Sequence, residues 1–227
     1  MNVDDFKESV IPTDFSNKDM LDYIFERQHS LFSKYLPIET ENGLRYSQDC
    51  PVNLHDRFGQ AQLKDMFWRI TEELTEAIDA VRIHKHVPNH TLEELADALH
   101  FLIEAFLLSD ISTIDVIRQV VKFENNESIR TDKLVLLYPS FVDYDTPLEK
   151  YVYEVIHIIG CASNFLKQRP WKQTHFKVDI YRYRKTLIPA LPVLLKCFRY
   201  CSLEPNQVFS MYWRKSEVNK FRIRSNY

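Results

Sequence analysis

Apolar residues recur at helical spacing along most of this chain. Leu21, Ile24, Phe25, Leu31, Phe32 and Tyr35 form one stripe across residues 17–34, with a single polar intruder, Gln28. Phe67, Ile70, Leu74, Ala77, Ile78 and Val81 repeat the pattern on a helix from Leu63 to about His84. From Leu92 to Leu108 the sequence is apolar almost all round, which marks a helix enclosed by others. Weaker helical patterns run from Ile114 to Phe123 and from Thr146 to Lys167, the latter with Pro147 in a tolerated first-turn position. Phe176 to Tyr200 is helical with a kink or break at Pro189 and Pro192, and Ser202 is the expected cap of a last helix through Val218. Residues 37–53 and 84–90 are expected to be loops, Glu124 to Asp132 a polar linker, and Leu134 to Tyr144 a buried loop, since no strand is available to pair with it.

Two acid pairs interrupt the apolar pattern. Glu73 and Glu76, and again Glu94 and Asp97, lie three residues apart and so share a helix face as two-carboxylate claws. Glu72 and Glu76 fall opposite the apolar stripe, and Glu72 is read as solvated. Glu73 projects at the boundary of the buried face. Thr91 followed by Glu94 is a capping-box pattern, which gives Glu94 a structural explanation. Asp97 has none: it lies with Glu94 beside Phe101, while Glu93, His100 and Glu104 form a separate polar stripe. Buried carboxylates need a cation or a change of protonation state. Facing claws would suit a hard divalent ion such as Mg²⁺.

Composition narrows the field. Across 227 residues the formal net charge is −3, so nothing points to nucleic acid or a membrane surface as partner. With three glycines in the chain, a glycine-rich phosphate loop is excluded. Phosphate binding would have to use metal and basic side chains, and Arg199, Arg214, Lys215, Lys220, Arg222 and Arg224 gather towards the C-terminal end. The four cysteines are read as reduced packing residues. An acidic, polar start and interrupted apolar runs argue against a signal peptide or a membrane span, so a cytoplasmic location is expected. His84, His86 and His90 are read as a solvated connection, and His55-Asp56 as a chance dipeptide. Arg169 to Gln173 fits a nucleotide clamp and a packed surface turn equally well.

Glu-Glu-x-x-Glu at 72–76, a spacer of seventeen residues and Glu-x-x-Asp at 94–97 resemble the signature of the all-α nucleoside triphosphate pyrophosphatases. These include dimeric dUTPases, phage dCTPase/dUTPases and MazG-like enzymes. Asp97-Ala98-Leu99-His100-Phe101, Gln28 with Leu31, and the spacing of Tyr212, Lys215, Asn219, Arg222 and Tyr227 resemble the dimeric dUTPase branch. The resemblance implies a single all-α multi-helix bundle over 1–227, in which 127–199 is an unmatched helical insertion or lid. It further implies that Glu73, Glu76, Glu94 and Asp97 hold two or more Mg²⁺ ions, with Mn²⁺ a substitute, and that Glu73 orients the attacking water. Lys215, Asn219 and Arg222 would contact phosphates, Tyr227 would lie near the sugar, and Gln28 and Trp68 would help enclose the base. The reaction implied is hydrolysis of a deoxynucleoside triphosphate, dUTP first, to monophosphate and pyrophosphate by a homodimer, placed in the host cytoplasm if phage-encoded. The closing Arg222-Ile223-Arg224-Ser225-Asn226-Tyr227 lacks the family's Gln and Gly, and Phe32 replaces a usual polar residue. Those departures keep dCTP and MazG-like base preferences open, and a non-enzymatic helical interaction protein is the alternative of another class.

Overall fold

Residues 57–84 and 89–108 form the two helices that carry the acid pairs, and they set the frame for the rest. The structure is a computed structural model that describes residues 10–43, 49–84, 86–121, 132–168, 171, 173–174 and 176–225. Among the described residues there are helices and no strand: α1 (Met20–Glu41), α2 (Arg57–His84), α3 (Asn89–Leu108), α4 (Thr113–Val120), α5 (Lys133–Leu137), α6 (Leu148–Ser163), α7 (Ile180–Leu187), α8 (Ala190–Tyr200) and α9 (Pro205–Arg224). The fold is all-α, as the apolar periodicity predicts. No single helix among the described residues is long and apolar enough to cross a membrane.

Helices α2 and α3 pack as an antiparallel hairpin. At its closed end the Thr91 hydroxyl donates to the Ala77 carbonyl at 3.2 Å. At its open end the Val52 amide donates to the Leu108 carbonyl at 3.0 Å, while Val52 also lies against Gly59 in the first turn of α2. Helix α3 is then enclosed by α1, α8 and α9, with α6 and α7 extending the packing beyond α2 and α8. Leu95, Ala98, Leu99, Leu102, Ile103, Ala105 and Phe106 are buried as a result. Each larger side chain removed from water in this way contributes about 1.5–3 kcal/mol. Polar ties fix the outer helices: Arg27 of α1 stacks on Trp213 of α9 at 4.2 Å, donates to Ser216 Oγ at 2.6 Å and pairs with Glu217. Lys133 of α5 reaches Asp19 and Asp22 at the start of α1 at 2.5 and 2.7 Å.

Several helix boundaries differ from those expected, each for a local reason. Helix α1 runs through Pro37 to Glu41, so the loop expected from residue 37 starts later. Proline removes one backbone donor, but buried Leu36, the Thr40 hydroxyl on the Leu36 carbonyl at 2.7 Å and the Glu39–Arg69 pair hold the extra turn. Thr91 is not an N-cap. Helix α3 begins at Asn89 behind Pro88, and the capping-box explanation of Glu94 fails. Nor does Ser202 cap α9; it takes a left-handed turn conformation at φ +62°, and the helix starts behind Glu204, whose amide donates to Gln207 Oε1 at 2.8 Å. The expected buried loop from Leu134 opens instead with the short helix α5, because the Asp132 carboxylate accepts the Leu134 amide at 2.8 Å. The predicted break at Pro189 is present and separates α7 from α8.

Other expectations resolve simply. All four cysteines are free thiols. His55 and Asp56 are structural: Asp56 Oδ2 accepts the Phe58 amide at 2.8 Å at the start of α2, and His55 Nδ1 accepts the Val178 amide at 3.2 Å. Of Arg169 to Gln173, Arg169, Pro170 and Lys172 lie outside the described residues, and Trp171 is exposed.

Gly59 sits where α2 meets the preceding loop, and a Cβ there would lie 2.7 Å from the Asn53 carbonyl oxygen and 3.0 Å from Val52 Cβ. Gly59→Ala should therefore destabilise the protein by about 1 kcal/mol net. Overpacking costs about 1–3 kcal/mol, and alanine's helix preference offsets up to about 1 kcal/mol of it. Urea unfolding of the two proteins measures the difference.

Candidate active site

The hairpin brings the two acid pairs together. On α2, Glu72 and Glu76 are exposed and Glu73 is half-buried at the edge of the apolar stripe. On α3, Asp97 is half-buried and Glu94 is only 7% exposed. One carboxylate oxygen from each of Glu73, Glu94 and Asp97 lies within 4.8 Å of the other two. A second group of the same span joins Glu76, His90 and Glu94, so Glu94 belongs to both.

Such crowding is costly without a cation. Two unit charges about 4.8 Å apart repel by roughly 3–4 kcal/mol at an effective dielectric of 20. The chain relieves part of this by protonation: burial, then hydrogen bonding to Glu94 and the charges of Asp97, Glu94 and Glu76, push the Glu73 carboxyl up to about 8. Asp97 is also raised by burial, but Lys215 of α9 opposes the shift with an ammonium 2.6 Å from Oδ2. An all-oxygen donor set with a surplus of negative charge fits a hard divalent ion, and Glu73, Glu94 and Asp97 are the residues that could hold it, with Glu76 beside Glu94 in the second group.

Lys215 also lines a groove of about 870 Å³ between the first half of α3 and α9, with Leu92, Ala96, Met211, Val218 and Arg222. Lys215, Asn219 and Arg222 follow one another at i, i+4 and i+7 and share a face of α9. Asn219 additionally accepts the Tyr35 hydroxyl on its backbone carbonyl at 3.4 Å. Carboxylates and basic side chains thus meet at the Asp97–Lys215 pair. Trp68 is 62% exposed on the outer side of α2, and Tyr227 lies outside the described residues.

Gln28, the polar intruder in the first apolar stripe, lies inside the protein. It is 4% exposed and forms the hub of a buried network. Its amide nitrogen donates to Glu104 Oε2 at 2.8 Å, and its carbonyl oxygen accepts the Tyr212 hydroxyl at 2.7 Å. His100 Nδ1 approaches the same oxygen at 2.7 Å and its ring stacks on Tyr212 with centroids 3.9 Å apart. Burial pushes the His100 imidazole down to about 3, so it is neutral and has one N–H for two acceptors, the Gln28 oxygen at Nδ1 and the Tyr212 carbonyl 3.2 Å from Nε2. Burial pushes Glu104 up to about 7, against the Gln28 hydrogen bond. Most of the hydrogen-bonding capacity of Gln28 is therefore spent inside the protein.

His90 and Glu104 are the residues whose placement the sequence pattern missed. The signal for His90 is its position four residues before Glu94, which becomes readable once α3 is known to start at Asn89. For Glu104 the signal is that an acid follows a histidine by four residues in the otherwise apolar second half of α3.

Comparison with known proteins adds one match. The family model for dUTPase covers residues 21–227 and so includes the stretch 127–199 for which no motif matched. No curated protein and no solved structure matches the chain.

Both raised glutamates make the folded state hold protons that the unfolded chain releases near pH 4.5. Their contribution is complete below that value and is lost as pH rises through about 7 for Glu104 and about 8 for Glu73. In chelator, the thermal midpoint should fall from pH 5 to pH 8.5, less steeply below about pH 6.5, where the neutral His100 contributes stability that grows as the unfolded imidazole loses its proton. Glu104→Gln, which keeps a neutral hydrogen-bonding group, should flatten the lower part of the decline, a difference on the order of 3 kcal/mol across the window. Circular-dichroism melts of both proteins at each pH provide the check.

Proposed function

The chain belongs to the dUTPase family and is a nucleoside triphosphate pyrophosphatase, and from that premise we propose that it hydrolyses dUTP, with Mg²⁺, to dUMP and pyrophosphate. The observation that carries the proposal is the convergence of Glu73, Glu94 and Asp97 within 4.8 Å beside the ammonium of Lys215.

Glu73, Glu76, Glu94 and Asp97 would hold the ions. Bound Mg²⁺ supplies positive charge to phosphate oxygens and lowers the pKa of water. The chain's own residues account for the rest. Glu73, whose carboxyl is raised first by burial and then by its acidic neighbours, would be ionised by the positive charge of a bound ion and is then placed to take a proton from water. Lys215, paired with Asp97, and Arg222 line the groove between α3 and α9, where they would contact the phosphates. Leu92, Ala96, Met211 and Val218 give the same groove apolar walls, which suit the nucleoside end of a substrate. Gln28 supports the site by locking α1, α3 and α9 together through Glu104, His100 and Tyr212. A homodimer is the assembly the family resemblance supports, and sedimentation velocity tests it.

Purified protein should release pyrophosphate from dUTP in Mg²⁺ faster than from other members of a dNTP and rNTP panel. Glu73→Gln and Asp97→Asn should each lower kcat/KM by about 10²-fold or more with unchanged helicity. Absence of pyrophosphate from every nucleotide would overturn the proposal, and a preference for dCTP would replace dUTP as substrate.

A further inference from the structure

The second donor group differs in chemistry from the first. His90 stands in the first turn of α3, one turn before Glu94, and its Nδ1 lies 2.8 Å from Glu94 Oε1. Glu76 reaches the same point from α2, across the closed end of the hairpin, and the three ligand atoms lie within 4.8 Å of one another. Glu94 is buried while Glu76 and His90 are exposed, so the group opens to solvent on one side and leaves room for water ligands.

An ordinary His–Glu ion pair explains this less well. The first turn of a helix disfavours positive charge, and a pair leaves unexplained the approach of a third side chain, Glu76. Two carboxylates and an imidazole are instead a mixed oxygen–nitrogen donor set. Mg²⁺ prefers oxygen throughout, whereas imidazole suits transition-metal dications.

We propose that Glu76, His90 and Glu94 form a second cation position that shares Glu94 with the all-oxygen set of Glu73, Glu94 and Asp97, and that His90 makes it selective for a transition-metal dication such as Mn²⁺. The inference rests on the metal-holding role given above to Glu76 and Glu94, and it adds a nitrogen donor that changes which metal is preferred. In this chain the two positions are unequal.

Mn²⁺ added to the full-length protein and examined by electron-spin-echo modulation reads nitrogen coordination directly. Wild type should show modulation from an imidazole nitrogen, and His90→Ala should lose it. Mn²⁺ affinity of His90→Ala should fall by about tenfold, with Mg²⁺ affinity, measured by competition, changed by less than about twofold. His86→Ala, which removes a neighbouring histidine outside the group, should behave as wild type. No nitrogen modulation in wild type, its persistence in His90→Ala, or equal weakening of both metals would each overturn the inference. Pyrophosphate release is followed on the same samples. Release from dUTP in Mg²⁺ without a nitrogen signal removes the mixed position and leaves the hydrolase proposal standing. A nitrogen signal lost in His90→Ala, with no release from any nucleotide in either metal, does the opposite.

Discussion

Burial of like charges between α2 and α3 is the constraint on which the rest of the structure depends. Repulsion among Glu73, Glu94 and Asp97, a few kcal/mol for each close pair, would splay the hairpin if nothing else held it. What holds it is α3, whose apolar side chains are buried on every side by α1, α2, α8 and α9. The hydrophobic contribution of Leu95, Leu99, Leu102, Ile103 and Phe106, about 1.5–3 kcal/mol each, is comparable with that electrostatic cost, and the rest of the core adds to it. A helix enclosed all round can therefore keep two acids near the core, and that is the reason a core helix also carries the site.

The charge left over is managed in two ways. Lys215 brings an ammonium from α9 to Asp97, and Glu73 keeps a proton well above the usual carboxylate range. These two devices do locally what a bound cation would do better. The Lys215 contact also ties the carboxylates to the C-terminal helix and to the groove that Lys215 lines with Arg222. The Gln28 network performs a mechanical task deeper in. It joins three helices through polar atoms that have partners, in a region where an unpaired group would cost about 1–3 kcal/mol.

Residue by residue, the sequence was readable where a pattern repeats and unreadable where one contact decides. The stripe from Phe67 to Ile78 located the interior of α2, and the three-residue spacing of the acids placed each pair on one helix face. Helix ends were a different matter. Thr91 has the composition of an N-cap, but a hydroxyl bond to Ala77 across the hairpin takes it elsewhere. Pro37 has the composition of a stop, but Leu36 and the Glu39–Arg69 pair carry α1 past it. Both outcomes turn on a partner that lies far away in sequence.

The sequence by itself determined that the protein is helical, that one helix is enclosed, and that four carboxylates are available in two pairs resembling a pyrophosphatase signature. Those are properties of local spacing, because a helix repeats every 3.6 residues whatever surrounds it. Only the tertiary structure decided that Glu94 serves two donor groups, that His90 joins one of them, and that Gln28 is a buried hub. Each of these depends on distances between residues of different helices or on the exact start of α3. Distances of that kind are set by packing and do not appear in any one segment.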